Sequence, residues 1–252
     1  MPSPRSVARV LAILERLAET PGGLTLAALS VALKTPKSSL LNLLRGLAAA
    51  NYVTHSDGHY SLSAESFRLA GTMLAGRRFP ETAHPTLRRL AEQSGETAMI
   101  AVPSPDRRFM VYVDKVESET GIRFTATIGS RRPLYCSCSG RAYLAFQPAA
   151  WRDKYLKETK LVAQTAETVI DKQTLRTLLE RARSEGVATT RGDMTEGCAG
   201  VASPIFDQNR EAIAAIIVAG PSERMAGRLA QHKVLVKAAG TAISQMLGFV
   251  DS

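Results

Sequence analysis

The chain has 252 residues, 45% of them hydrophobic and 22% charged, which accommodates one large domain or two modest ones and excludes wholesale disorder or a repetitive fibrous scaffold. Lys and Arg number 32 against 23 Asp and Glu, and the resulting charge of +9 suits a polyanionic partner. No apolar run approaches the roughly 18–20 residues of a bilayer span, and Met1-Pro2-Ser3-Pro4-Arg5 lacks the apolar segment of a secretory signal, so no membrane partner is expected. The three cysteines, Cys136, Cys138 and Cys198, lie among apolar or small residues, a pattern that fits a reducing compartment better than a disulfide frame; a cytoplasmic location is expected.

The basic excess is denser at the N-terminus. Residues 1–78 hold nine Lys and Arg and four acids, against 23 and 19 in the remainder, so the chain reads as two units. In the first, Val7, Val10, Leu11, Leu14 and Leu17 recur at three- and four-residue steps after Ser6, predicting an amphipathic helix ended by Pro21-Gly22-Gly23. A second helix is predicted from about Leu26 to Leu33. In a third, Thr35 is the cap and Pro36 the first helical residue, with Leu40, Leu43, Leu44 and Leu47 forming the buried stripe. Lys37, Ser38, Asn42 and Arg45 then face outward. The segments 52–54 and 60–62 flank Asp57-Gly58, a strong two-residue hairpin signal. Three helices followed by a hairpin make a winged helix-turn-helix domain over residues 1–63. Phe67, Leu69, Ala70, Met73 and Leu74 predict a linker helix over 64–78.

The second unit, 79–252, opens with a helix around 85–93 and continues with strands at 97–102, 109–116 and around 123–128. Helices at 139–145, 151–158 and 172–185 follow, then strands at 200–206 and 212–219 and a terminal helix from Pro221-Ser222 to about Leu247. Helices around a central, mostly antiparallel sheet predict an α+β sensory-type domain.

A helix fits the major groove of B-DNA, and its outward N-terminal residues reach base edges. On the third helix these are Pro36, Lys37, Ser38, Ser39 and Asn42. Lys37 suits phosphate or guanine, Asn42 carries the donor–acceptor pair that suits adenine, the serines suit phosphate or either base, and Arg45 lies toward the backbone. Thr25, at the entry to the second helix, joins this set. Alone, such residues describe a solvated helix face; beside a hairpin and a basic excess they describe a DNA-facing one. In the wing, His55, Ser56 and His59 are placed to lie over the backbone or minor groove. No Cys, Asp or Glu stands at ligand spacing from the two histidines, so neither a metal nor a cofactor is expected.

Residues 6–14 (SVARVLAIL), 24–29 (LTLAAL), 35–39 (TPKSS) and 57–62 (DGHYSL), continued by Gly95-Glu96-Thr97, residues 111–118 (VYVDKVES), Gly129 with Pro133-Leu134, Ser139-Gly140, 202–207 (ASPIFD) and 219–221 (AGP), form an ordered series of blocks. The series resembles the isocitrate lyase regulator (IclR) family of bacterial transcription factors. Its blocks span essentially the whole chain. The resemblance implies a winged-helix domain on double-stranded operator DNA, a linker helix, a GAF-like mixed α/β domain that binds a small-molecule effector, and a homodimer or dimer of dimers. It also implies pocket positions at Cys138 and Ser139 and at Thr190, Cys198, Gly200, Ile217 and Ala219. Period-two alternation independently puts Cys198 and Gly200 on one strand face, and Ile217 and Ala219 on another.

Ile217, Ala219 and Thr190 stand where some members that bind small polar acids carry serines or an acid. The pocket is therefore expected to be less polar and to suit an organic or aromatic carboxylic acid. Met99, Phe124 and Tyr135 add wall, and Ser139 with helix-start N–H groups holds the carboxylate. Arg141 stands where the family usually has lysine. Cys136 and Cys138 face one side of an extended segment as small lining residues, with zinc or redox roles as alternatives. Repression relieved by the effector is the expected regulation, with activation as the alternative. An enzyme is the rival class, but the chain contains no G-x-S-x-G, G-x-G-x-x-G, P-loop or H-E-x-x-H signature. An architectural DNA-binding protein without a ligand would leave the large second unit without a task.

Overall fold

The computed structural model describes residues 4–75 and 79–250. Two compact units divide between Arg78 and Phe79. The expectation about the first few residues, and the last residues of the expected linker helix, lie outside the described residues.

In the N-terminal unit, α1 (Pro4–Ala18) packs through Ile13 and Leu17, with Val10 and Leu14 half-buried; Val7 and Leu11, expected on the inner stripe, are exposed. The apolar set is wider than one helical face, and the strip through Ile13 is the one that meets Leu29 of α2 (Leu26–Ala32) and Leu40, Leu44 and Leu47 of α3 (Lys37–Ala49). A two-residue strand, β1 (Leu24–Thr25), was not anticipated; it pairs with β3 (His59–Leu62), which also pairs with β2 (Val53–Ser56). Asp57 and Gly58 connect β2 to β3 with φ of 51° and 77°, the two left-handed residues of a type I′ turn. This is a winged helix-turn-helix, closed by α4 (Ala64–Ala75) on the expected linker segment.

The C-terminal unit is built on one fully antiparallel sheet. Its strands are β4 (Thr97–Pro103), β5 (Phe109–Val116), β6 (Arg131–Pro133), β7 (Ala188–Arg191), β8 (Cys198–Phe206) and β9 (Ala212–Pro221), in the order β6-β5-β4-β9-β8-β7. Buried apolar residues occupy both faces of β8 and β9, so their near-continuous apolar runs reflect a sheet covered on both sides. On one face Val201, Ile216 and Val218 pack with Leu87 and Leu90 of α5 (His84–Ser94) and Val236 and Ile243 of α10 (Leu229–Met246). On the other, Ala202, Ile217 and Ala219 pack beneath α6 (Cys138–Ala145), with α7 (Ala149–Glu158) and α8 (Lys172–Glu185) outside it.

Gly140 permits the close seating of α6: a Cβ there would stand 2.3 Å from Leu134 Cα.

Three sequence expectations for this unit are corrected. Residues 123–128 alternate like a strand but are irregular, because the outer edge of β5 is already taken by residues 129–133, through Gly129 N–H to Tyr112 O (2.8 Å) and the β6 ladder. Strand β7 was missed, being only four residues long. The terminal helix is two helices, α9 (Ser222–Gly227) and α10, separated at Arg228 with φ −127°.

Candidate functional site

The α2–α3 connection sets the first candidate surface. Thr35 was expected to cap α3, but it is buried and its hydroxyl donates to Leu33 O at 2.9 Å, while Ser30 Oγ donates to Thr35 O at 2.8 Å. Pro36 is the N-cap instead of the first helical residue and brings no side-chain cap bond, so the opening N–H groups of α3 lack a protein partner there. Lys37, Ser38, Asn42 and Arg45 are exposed and Ser39 half-buried, opposite the leucine stripe. Ser38, Asn42 and Arg45 recur at i, i+4 and i+7 on one face.

Thr25 caps α2, its Oγ1 accepting from Ala28 N–H at 3.2 Å. In the wing, His55, Ser56 and His59 are exposed. The His55 ring stacks on Tyr60, centroids 4.2 Å apart, Ser56 Oγ donates to Asp57 Oδ2 at 3.2 Å, and His59 Nδ1 lies 3.0 Å from Asp57 O. Among the described residues no three His, Cys, Asp or Glu side chains are grouped to hold a metal ion.

The second candidate lies under α6 in the C-terminal unit. Of the expected effector residues, Phe124, Cys138, Thr190, Cys198, Gly200, Ile217 and Ala219 line one cavity. The register Gly200↔Ala219 and Ala202↔Ile217 places β8 and β9 side by side there. A Cβ on Gly200 would stand 2.7 Å from Cys138 Sγ, so glycine admits the thiol against the strand. The volume is about 40 Å³, room for one or two waters.

The other four expected residues do not reach this cavity. Met99 is fully buried in the core beside Ile217. Tyr135 donates to Val162 O at 2.6 Å and lines a separate outer hollow with Trp151 and Tyr155. Cys136 is buried with Sγ 3.5 Å from Met194 Sδ, because the chain turns into α6 at Ser137 and splits the two thiols between surfaces. Ser139 is fully buried with no partner for its Oγ, and the capping residue of α6 is Ser137, which accepts from Gly140 N–H at 3.1 Å. Tyr112, Arg132, Ser137, Met194, Thr195 and Ala199 complete the lining. Arg132, over the Tyr112 ring at 5.5 Å, brings the cavity's one cationic side chain.

Burial pushes the Cys136 and Cys138 thiols up to about 11, the Cys198 thiol upward and the Tyr112 phenol up to about 12. The thiols are therefore neutral near pH 7 and poor nucleophiles or metal ligands.

The IclR helix-turn-helix model matches residues 6–57, and the bacterial transcriptional regulator IclR C-terminal model matches residues 72–245. This chain belongs to the IclR family. It is 32% identical to SauR of Cupriavidus necator, named as a transcriptional regulator, over 86% of each chain. It is 30% identical to the transcriptional repressor IclR of Escherichia coli over 88% of this chain and 81% of that one. The crystal structure of the Agobacterium tumefaciens repressor BlcR superposes with a TM-score of 0.87 at 24% identity, covering 99% of both chains, and shows the shared fold. As an IclR-family member the chain is a DNA-binding transcriptional regulator with an effector-binding domain, not an enzyme. No helix among the described residues is long and apolar enough to cross a membrane.

Within this IclR-family fold, Arg141 is a key residue whose role its sequence position alone did not reveal. Its guanidinium is buried and donates to Tyr135 O (2.8 Å), Thr189 O (3.4 Å) and the Asp193 carboxylate, whose other oxygen accepts from Arg191 N–H at 3.0 Å. The pair joins α6 to the segment that brings Met194 and Thr195 to the cavity. Arg132 was missed because it sits in the basic run Arg131-Arg132-Pro133, which reads as solvated surface. Only the pairing of β6 with β5 assigns its position.

Proposed function

We propose that this regulator is a repressor whose DNA affinity is lowered when an organic, preferably aromatic, carboxylic acid enters the cavity under α6. The observation that supports the ligand class is the lining: Phe124, Met194, Ile217 and Ala219 offer apolar contact, and Arg132 offers a single guanidinium suited to a carboxylate. Arg132 replaces Ser139 in that role. A six-membered ring needs more than the present 40 Å³, so binding must displace part of the wall. Two irregular stretches supply it, residues 117–130 with Phe124 and 192–197 with Met194 and Thr195. Repression is favoured by E. coli IclR and BlcR, both named as repressors.

On DNA, the N-terminal end of α3 enters the major groove, with Ser38, Ser39 and Asn42 toward bases and Lys37 and Arg45 toward phosphates, while His55, Ser56 and His59 lie along the backbone. Thr25 and Pro36 border this surface. Two such helices in a homodimer, or in a dimer of dimers, would read paired half-sites. An effector shifts the operator equilibrium only by its differential affinity for the two arrangements.

The test is thermal unfolding of the full chain against aromatic and short aliphatic carboxylic acids, followed by operator binding with any hit. A ligand specific to the folded state at a hundred times its dissociation constant adds about 2.7 kcal/mol. Stabilisation by an aromatic acid, lost in Arg132→Gln and Ala219→Asp and accompanied by weaker operator binding, supports the reading. Stabilisation confined to small keto or dicarboxylic acids overturns the ligand class, and tighter operator binding overturns effector-relieved repression.

A further inference from the structure

The C-terminal unit has a second concavity, at the other end of the sheet face that carries the effector cavity. The β4–β5 and β8–β9 hairpins close it on one side and the α6–α7 junction and α8 on the other, leaving about 560 Å³. On β9 it is lined by Ala212 and Ile213, whereas the effector cavity is lined by Ile217 and Ala219; at about 3.3 Å per residue the nearest of these are roughly 13 Å apart along the strand. They share no lining residue.

Its chemistry is cationic. Arg107, Arg152, Arg183 and Arg210 line it against one carboxylate, Glu211. Ion pairs among the described residues engage Arg16, Arg68, Arg123, Arg131, Arg141, Arg176, Arg181 and Arg224. Arg107, Arg152 and Arg183 have no carboxylate within 4.0 Å among those residues. Two of the guanidiniums are held in place: Arg152 Nη1 and Arg183 Nη1 both donate to Ala145 O, at 3.1 and 3.3 Å, on the last carbonyls of α6, and Arg183 also lies 5.8 Å from the Phe146 ring centre. Each retains further N–H donors, since a guanidinium has five.

Tyr143, from the last turn of α6, also lines the concavity; no hydrogen bond among the described residues engages its hydroxyl, which is free to donate to a solute there. Burial raises its pKa, with Arg107 acting in the opposite sense, so it remains a donor at neutral pH.

We infer that this concavity is a binding site for a small polyanion, a polycarboxylate or phosphorylated metabolite, held by Arg107, Arg152, Arg183 and Arg210 with Tyr143 donating from the floor. Guanidiniums grip carboxylate and phosphate oxygens bidentately, and the enclosed volume lies in the range of small-molecule sites. The sheet end is concave rather than flat, which favours a metabolite over an acidic protein surface.

The test is titration calorimetry of the full chain with citrate and with inorganic pyrophosphate at matched ionic strength. One site per chain is expected for at least one of them, and which binds distinguishes carboxylate from phosphate chemistry. Arg107→Gln decides, because no described hydrogen bond involves its side chain; it should weaken binding about tenfold or more. Tyr143→Phe should weaken it several-fold, and Arg176→Gln, outside the concavity, should leave it unchanged. The proposal fails if neither anion binds, if Arg107→Gln and Arg176→Gln have equal effects, or if an oligoglutamate peptide binds more tightly than both anions.

Discussion

Removing Asp193 tests the buried ion pair that joins α6 to the segment carrying Met194 and Thr195. Arg141 and Asp193 side chains are 3% and 7% exposed, so the screening that makes surface pairs nearly worthless does not apply. Asp193→Leu leaves the Arg141 guanidinium with only the carbonyls of Tyr135 and Thr189, and it also strips Arg191 N–H of its acceptor. Losing one partner of a buried pair costs about 3–5 kcal/mol. For a unit of this size, at about 2–4 °C per kcal/mol, the midpoint should fall by roughly 6–20 °C. Trp151 is the only tryptophan and stacks on Tyr155 in the C-terminal unit, so its fluorescence during heating reports that unit alone. Arg141→Met with Asp193→Leu should recover much of the loss, since an apolar pair of similar size has no uncompensated charge. A drop of less than about 1 kcal/mol in the single variant, or a double variant no more stable than the single one, would refute the assignment of the pair as a structural tie.

On the DNA face, Arg45→Ala should weaken operator binding across sequences and lower its salt slope by about one unit, whereas Asn42→Ala should relax base preference at one position; the reverse pattern in binding titrations would mean that the helix face is rotated. Gly200→Val should close the proposed effector cavity against Cys138 and abolish any ligand-induced stabilisation while leaving operator binding intact, and a persisting thermal shift would place the ligand elsewhere. His232 is fully buried with neither ring nitrogen in a well-formed hydrogen bond among the described residues, and burial lowers its pKa against opposing pulls from the nearby Ser94 backbone and from Glu96. The unfolded chain takes up its proton near the ordinary 6.5 and the folded chain only at lower pH, so stability is full above 6.5 and falls as pH drops below it. In His232→Leu this part of the loss should disappear from denaturation curves recorded between pH 7 and 5.

The sequence alone determined the elements whose signals are local. Asp57-Gly58 adopts its expected turn because φ above zero at both positions is a property of those residue types. Leu40, Leu44 and Leu47 identify the buried side of α3, and therefore its outward side, because helical periodicity is a local rule. Apolar runs at 200–206 and 212–219 mark covered strands for the same reason, and the ordered blocks of the whole chain identify the family. Tertiary structure decided what depends on competition for partners. Residues 123–128 are not a strand because residues 129–133 occupy the edge they would need. Val7 and Leu11 are exposed because only one strip of an over-wide apolar set meets α2 and α3. Cys136 and Cys138 part company because the chain turns into α6 between them. Arg132, Arg141 and the arginines around Tyr143 read in sequence as ordinary charge; their roles come from strand pairing and helix seating, which bring side chains distant in the chain to one surface.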